Sequence, residues 1–191
     1  MPDDSGDAKD RAATYDADAL RQDLNTEYYA IVRIVGEFDG RLLTMKSWSV
    51  TLSLAAIGLG FQQSHYALFA LAAGSAVAFW LVEAITKRHQ MRYYPRMREI
   101  EVDTFGLNRL QVDGVDASAP RIDWAWTDAG RAGHHKSRAR PTVLTDGEIT
   151  RMLHHTFWMP HVCIPHAVAV VVGVALFAMG AATPWLNDIP L

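Results

Sequence analysis

At 191 residues the chain has room for one domain, or one with a small appendage. Half of it is hydrophobic, a fifth is charged and the net charge is −3, a balance that excludes a polybasic nucleic-acid binder. A single cysteine, Cys163, excludes an intramolecular disulfide.

The charge is unevenly spread. Residues 47 to 82 contain no Lys, Arg, Asp or Glu, and neither do residues 152 to 187. Exposed helix and strand faces of water-soluble domains rarely go so long without charge. Residues 1–18, MPDDSGDAKDRAATYDAD, are Asp-rich and lack the apolar region of a secretory signal. They are expected to be a disordered acidic tail.

Residues 19–46 predict a cytoplasmic amphipathic helix. Leu24, Tyr28, Ile31, Val35, Phe38, Leu42 and Met45 recur at alternating spacings of four and three, a heptad stripe with the charged residues mostly off it. Asp16 or Asp18 suits the helix start, and Gly36 and Gly40 permit a bend. The stripe suits self-association or packing on the chain's own helix after the second span; the latter is favoured because such a helix lies nearby.

Residues 47–85 predict a transmembrane hairpin, divided by the polar turn QQSH at 62–65. An apolar bilayer core needs about 20 helical residues, and the stretches Leu43–Gln62 and His65–Ile85 reach that length. Residues 86–160 follow as a cytoplasmic basic helix, loop and interfacial helix. In the first part, Lys87, Arg88, Arg92, Arg96 and Arg98 are positioned to meet anionic lipid headgroups. Pro95 should kink or divide the helix carrying them. Residues 103–145 read mainly as loop, VDGVDASAP as a turn-rich linker, and the alternation of Ile122, Trp124 and Trp126 as a short strand or aromatic lip. Thr145 and Glu148 have capping-box spacing for a helix whose apolar face holds Ile149, Met152, Leu153, Thr156 and Phe157, and which Pro160 ends. Residues 161–185 form the third transmembrane helix and 186–191 an external tail.

The fold class is therefore mainly α: a three-span membrane protein with a juxtamembrane amphipathic helix and a small cytoplasmic lobe. All 18 Lys and Arg precede the first span or lie between the second and third. The positive-inside rule then places the N-terminus in the cytoplasm and the C-terminus outside a bacterial inner membrane. Trp48, Trp80 and Trp158 mark the inner boundary, Tyr66 and Trp185 the outer one. Small-residue faces are expected to pack the spans, or subunits of a homo-oligomer: Ser49, Ser53, Ala56 and Gly60 in the first, Ala70, Gly74 and Ala78 in the second, and Ala169, Gly173 and Gly180 in the third. Glu83, in the last turn of the second span, is expected to snorkel to the interface and pair with Lys87.

HHTFWMPHVCIPH, residues 154–166, gathers His154, His155, His161, Cys163 and His166. Those donors suit zinc, copper or a haem axial pair. Their spacing matches no standard finger, adjacent His154 and His155 point to different helix faces, and no acid lies in the stretch to orient an imidazole. An amphipathic entry to the third span is the favoured reading.

The stretch FDGRLLTMKSWSVTLSLAAIGLGF with FWLVEAITKRHQMRYYPRMREIE resembles a family of small bacterial integral membrane proteins over residues 24 to 102. The resemblance implies the same helix, hairpin and basic helix, and brings no catalytic residues. In topology alone the layout is similar to two-span effector modules of bacterial conflict systems, from which the third span departs. The expected function is a non-enzymatic inner-membrane protein that self-associates or anchors partners, as a pore-forming or stress and defence effector would, with no nucleic-acid partner. The alternative is a metal- or haem-binding membrane protein. No nucleophile, base and orienting group stand at a recognisable spacing.

Overall fold

The computed structural model describes residues 5–126 and 142–183, with side chains from Asp16 onward except that of Val115. It is mainly helical, and three of its helices are long and apolar enough to cross a membrane. In chain order the elements are α1 (Ser5–Gln62), α2 (Ala67–Met91), α3 (Tyr94–Leu107), β1 (Leu110–Val112), β2 (Val115–Ala117), α4 (Ile122–Trp124), α5 (Asp146–His154), a 3₁₀ turn (His155–Trp158) and α6 (Pro160–Ala182). They form two compact units. One combines α1 up to Val35 with Arg92–Ile149, the other Gly36–Met91 with the chain from Thr150 onward.

Helix α1 begins at Ser5, inside the stretch 1–18 expected to be disordered. Helix-favouring Ala8, Ala12, Ala13 and Ala17 fall in this segment. The helix continues through Gly36 and Gly40, and Gly36 is where the two units divide.

In the first unit the apolar stripe packs intramolecularly. Leu24, Tyr28, Ile31 and Val35 form one buried cluster with Met97 and Ile100 of α3, joined by Tyr93, Tyr94, Leu107 and Ile122. Along the stretch that carries the basic residues, Met97 and Ile100 are buried, whereas Ile85 and His89 are exposed. The cause is the break before Pro95, which sits in the first turn of α3 and separates it from α2.

The loop reading of residues 103–145 needs correction at three places. Helix α3 reaches Leu107. Strands β1 and β2 pair antiparallel, with Leu110 opposite Ala117 and Val112 opposite Val115. Asp113 and Gly114 turn between them at φ 53° and 73°, the left-handed pair that closes a tight hairpin. Residues 122–124 form a turn of helix that buries Trp124 and leaves Trp126 exposed. The basic run 131–140 lies outside the described residues, as do Trp185 and the tail 186–191.

The second unit holds the hairpin of α1 and α2 with α6. Gln63 N–H donates to the Leu59 carbonyl and His65 N–H to that of Gly60, ending α1; Ser64, at φ 52°, reverses the chain. The capping box at the start of α5 is formed in both directions. Thr145 N–H donates to Glu148 Oε2 at 2.8 Å, and Glu148 N–H donates to Thr145 Oγ1 at 3.3 Å. Thr145→Ala is expected to weaken α5 by about 1 kcal/mol, seen as faster amide exchange confined to residues 146–150. Pro160 begins α6, and the 3₁₀ turn fills the gap after α5.

Candidate functional site: a buried Ser–His–Glu chain

The periodicity of each membrane-length helix determines which side chains face inward. Phe69, Ala72, Ala73, Ala76, Glu83, Ala84 and Gln90 form the buried side of α2. Val162, His166, Gly173 and Gly180 form that of α6. On α1 the stripe that begins at Leu24 continues in register through Leu42, Ser49, Ser53 and Gly60, all buried. Polar groups therefore meet inside an otherwise apolar unit.

Glu83 is fully buried. Its Oε1 lies 3.0 Å from Lys46 Nζ, an ion pair, and its Oε2 lies 2.9 Å from His166 Nε2. The other ring nitrogen of His166, Nδ1, lies 3.0 Å from Ser49 Oγ. Both His166 and Ser49 are buried. A carboxylate can only accept, so Nε2 carries the hydrogen directed at Glu83. In the neutral ring Nδ1 is then the acceptor, and Ser49 O–H donates to it. The chain thus runs from a hydroxyl through an imidazole to a carboxylate held by an ammonium, with one member from each long helix and Lys46 from α1.

Beside it, Gln90 Nε2 donates to Asp39 Oδ1 at 2.8 Å, Lys87 Nζ donates to Gln90 Oε1 at 2.5 Å, and Lys87 lies 3.7 Å from Asp39. Glu83 therefore neither snorkels nor pairs with Lys87 as expected; it turns inward to Lys46 and His166. Four and seven residues on from the buried Ala76, Trp80 and Glu83 sit on the inner side of α2, a face that points the carboxylate at α6. Trp80 Nε1 donates to the Phe157 carbonyl at 3.1 Å and meets Trp158 edge to face, with centroids 5.7 Å apart.

The small-residue faces divide. A Cβ on Gly60 would stand 2.5 Å from the Phe69 ring, and one on Gly173 would stand 2.9 Å from the Phe69 carbonyl oxygen and 3.0 Å from Ala73 N. Gly180 is buried, and Ala56 and Ala169 are half-buried. The face predicted on the second span is the wrong one for packing within the chain. Ala70, Gly74 and Ala78 are exposed, and a Cβ on Gly74 would meet nothing. The inner face is instead offset by one residue, through Phe69, Ala73 and Ala76.

Of the five expected headgroup cations, Arg88 and Arg92 are exposed. Lys87 is taken up by Asp39 and Gln90, and Arg96 by Glu27 at 2.7 Å and Glu99 at 3.2 Å. Arg98 is buried, so it is a core residue of the first unit and not a lipid contact. Its Nε donates to Asp123 Oδ2 at 2.8 Å and lies 3.8 Å from Glu101 Oε2, and the guanidinium sits 5.0 Å from the Trp124 ring centroid. Glu101 accepts from Tyr28 O–H at 2.6 Å, Asp123 N–H at 2.7 Å and Trp124 N–H at 2.9 Å. Burial, reinforced by the Glu101 carboxylate, pushes the Tyr28 phenol far above its ordinary value. Burial also pushes Glu101 up, against the opposing hydrogen bonds from Tyr28 and the two amides.

The histidine and cysteine candidates are not gathered. His154, His155 and His161 are exposed, Cys163 is half-buried, and His166 spends both ring nitrogens on Ser49 and Glu83. Among the described residues no group of three or more His, Cys, Asp or Glu is placed to hold a metal ion. Adjacent and near-adjacent positions on a helix fan around its axis, which disperses donors that look clustered in the sequence. No family model, no curated protein and no solved structure matches the chain.

Proposed function

We propose that the chain is a multi-pass protein of the bacterial inner membrane that self-associates or anchors partners. Its N-terminus and residues 86–160 lie in the cytoplasm, and its C-terminus lies outside. The observation carrying this reading is the outward surface of the three long helices. Leu54 is 64% exposed, Leu71 61% and Val171 66%, on faces that hold no charge over thirty-odd residues of sequence. A contiguous apolar surface of this kind is costly in water and suited to lipid. The segregation of the 18 basic residues supports the orientation. A pore-forming or stress and defence role fits a small protein of this layout.

The chain should resist carbonate extraction and require detergent, and a reporter fused after Leu191 should be active only outside the cytoplasm. Recovery in the carbonate supernatant, or a reporter active inside, contradicts the reading. The outward Ala70, Gly74 and Ala78 face supports association between copies. Gly74→Leu is expected to leave the helical content and thermal transition of the detergent-solubilised protein unchanged, because nothing surrounds that position. Measured by light scattering in detergent, the same change should lower the mass of the assembled species.

A further inference from the structure

The geometry points to an acyl-transfer centre at Ser49, His166 and Glu83, acting on ester-linked acyl groups at the membrane boundary. Three features of the page converge on it. The first is distance: Ser49 Oγ is 3.0 Å from His166 Nδ1, and His166 Nε2 is 2.9 Å from Glu83 Oε2. A nucleophile within reach of a base, with the base oriented by a third group, is the arrangement that activates a hydroxyl. The second is direction. The carboxylate fixes the hydrogen on Nε2, so Nδ1 is free to take the Ser49 proton, and Glu83 stabilises the imidazolium that results. The third is the cation. Lys46 Nζ pairs with Glu83 Oε1 at 3.0 Å while the other carboxylate oxygen meets His166 Nε2, so the ammonium anchors the group that orients the imidazole.

The substrate class rests on the membrane reading proposed above. Ser49 follows Trp48 and stands three residues after Lys46, the last charge before the first apolar run. That depth is the boundary between headgroups and chains, where lipid ester bonds lie. Ser49 is 2% exposed, so substrate and probe alike reach it by a parting of α1 from α6, in micelles as in a bilayer.

The step balances as a hydrolysis. Ser49 Oγ bonds to the acyl carbon while its proton moves to His166 Nδ1. The carbon–oxygen bond to the leaving alcohol breaks, and that alcohol takes the proton from Nδ1. Water then repeats the sequence on the acyl-serine, releasing a carboxylic acid and restoring the Ser49 hydroxyl. Ser49 and His166 are the catalytic residues, and Glu83 is a positioning residue that acts through the imidazole.

The test uses the full chain in detergent micelles and two water-soluble probes, a tagged fluorophosphonate and a short-chain p-nitrophenyl ester. The expected results are covalent labelling of wild-type protein at Ser49, read by peptide mass spectrometry, and turnover of the ester. Ser49→Ala should abolish both. His166→Gln should slow labelling by about 100-fold or more. Glu83→Gln should lower kcat with little change in KM, and Glu83→Asp should recover most of the loss, a split that a purely structural carboxylate does not produce. Wild-type protein that is folded by circular dichroism but unlabelled at Ser49 overturns the proposal, whatever the variants do. Ester turnover by Ser49→Ala equal to wild type overturns it as well. Neither probe needs a bilayer, so their failure is distinct from failure of the membrane reading, which carbonate extraction decides.

Discussion

Arg98→Ala is expected to lose about 3–5 kcal/mol from the first unit, the largest effect of any single side-chain truncation there. The arginine is 1% exposed and faces two carboxylates that are as deeply buried, Asp123 and Glu101. Removing it leaves Asp123 without the guanidinium at 2.8 Å and strips the charge that balances Glu101. Both carboxylates are buried, so the cost is that of breaking a buried ion pair from one side and not merely that of losing one surface pair. The guanidinium also covers Trp124, so packing is lost with the charge. Amide exchange of the full chain in detergent is the direct measurement. Protection should fall across residues 97–105 and 122–124 together, because Tyr28, Glu101 and the Ile122 and Asp123 amides share one network. Tyr28→Phe removes a hydroxyl from that network and should cost less, about 1–3 kcal/mol. Arg98→Met combined with Asp123→Leu should recover part of the loss, since a buried ion pair is worth little against apolar residues of similar volume. Equal protection in wild type and Arg98→Ala refutes the account.

The sequence and the structure part at identifiable residues. The heptad stripe of α1 was readable because leucine, tyrosine, isoleucine and valine at alternating spacings have one physical meaning, and the structure buries those residues against Met97 and Ile100. The capping box was readable for a similar reason, since Thr145 and Glu148 satisfy each other within four residues. Arg98 was not. Five basic residues in twelve positions look like one population, and only the tertiary placement of Asp123 twenty-five residues later separates a core guanidinium from its exposed neighbours Arg88 and Arg92. The hairpin at Asp113 and Gly114 did carry its signal, an Asp-Gly pair between valines, which composition of the surrounding loop obscured.

Glu83 and His166 show how the candidate site itself could have been found. Seven-residue spacing places His166 on the same side of α6 as Gly173 and Gly180, and the glycine side of a membrane helix is the side that approaches its neighbours. On α2 the choice lay between two offset faces, Ala70–Gly74–Ala78 and Phe69–Ala73–Ala76, both rich in small residues. Only the second contains Glu83 within its continuation, and a carboxylate in an apolar helix is expected to face inward toward a partner. Place in the chain alone, the last turn of the second span and four residues from Lys87, puts Glu83 at the interface; its helix face is what turns it inward. The serine on α1 lay on the apolar stripe all along, but a buried hydroxyl gains meaning only when its acceptor is known.

Gly173→Leu is expected to detach α6 from α2, with effects larger than those of Gly60→Leu. At both positions a side chain has no room, yet the obstacles differ in kind. At Gly60 the nearest atoms belong to the Phe69 ring, which can rotate away. At Gly173 they include the Phe69 carbonyl oxygen at 2.9 Å and Ala73 N at 3.0 Å, atoms of the α2 backbone. Backbone cannot move without moving the helix, and between membrane helices no hydrophobic drive restores the contact once dispersion is lost. Overpacking a core costs about 1–3 kcal/mol when side chains can adjust; here Gly173→Ala should already cost that much, and leucine should separate the helices. The separation has a chemical readout, because His166 lies two turns before Gly173 on α6 while Glu83 and Ser49 lie on the helices left behind. Thermal unfolding in detergent should shift down for Gly173→Ala and lose cooperativity for Gly173→Leu, and fluorophosphonate labelling at Ser49 should disappear with it. Gly74→Leu, on the same helix as Ala73 but facing outward, supplies the control: an unchanged transition there and a lowered one at Gly173 distinguish contact within the chain from a general intolerance of bulk.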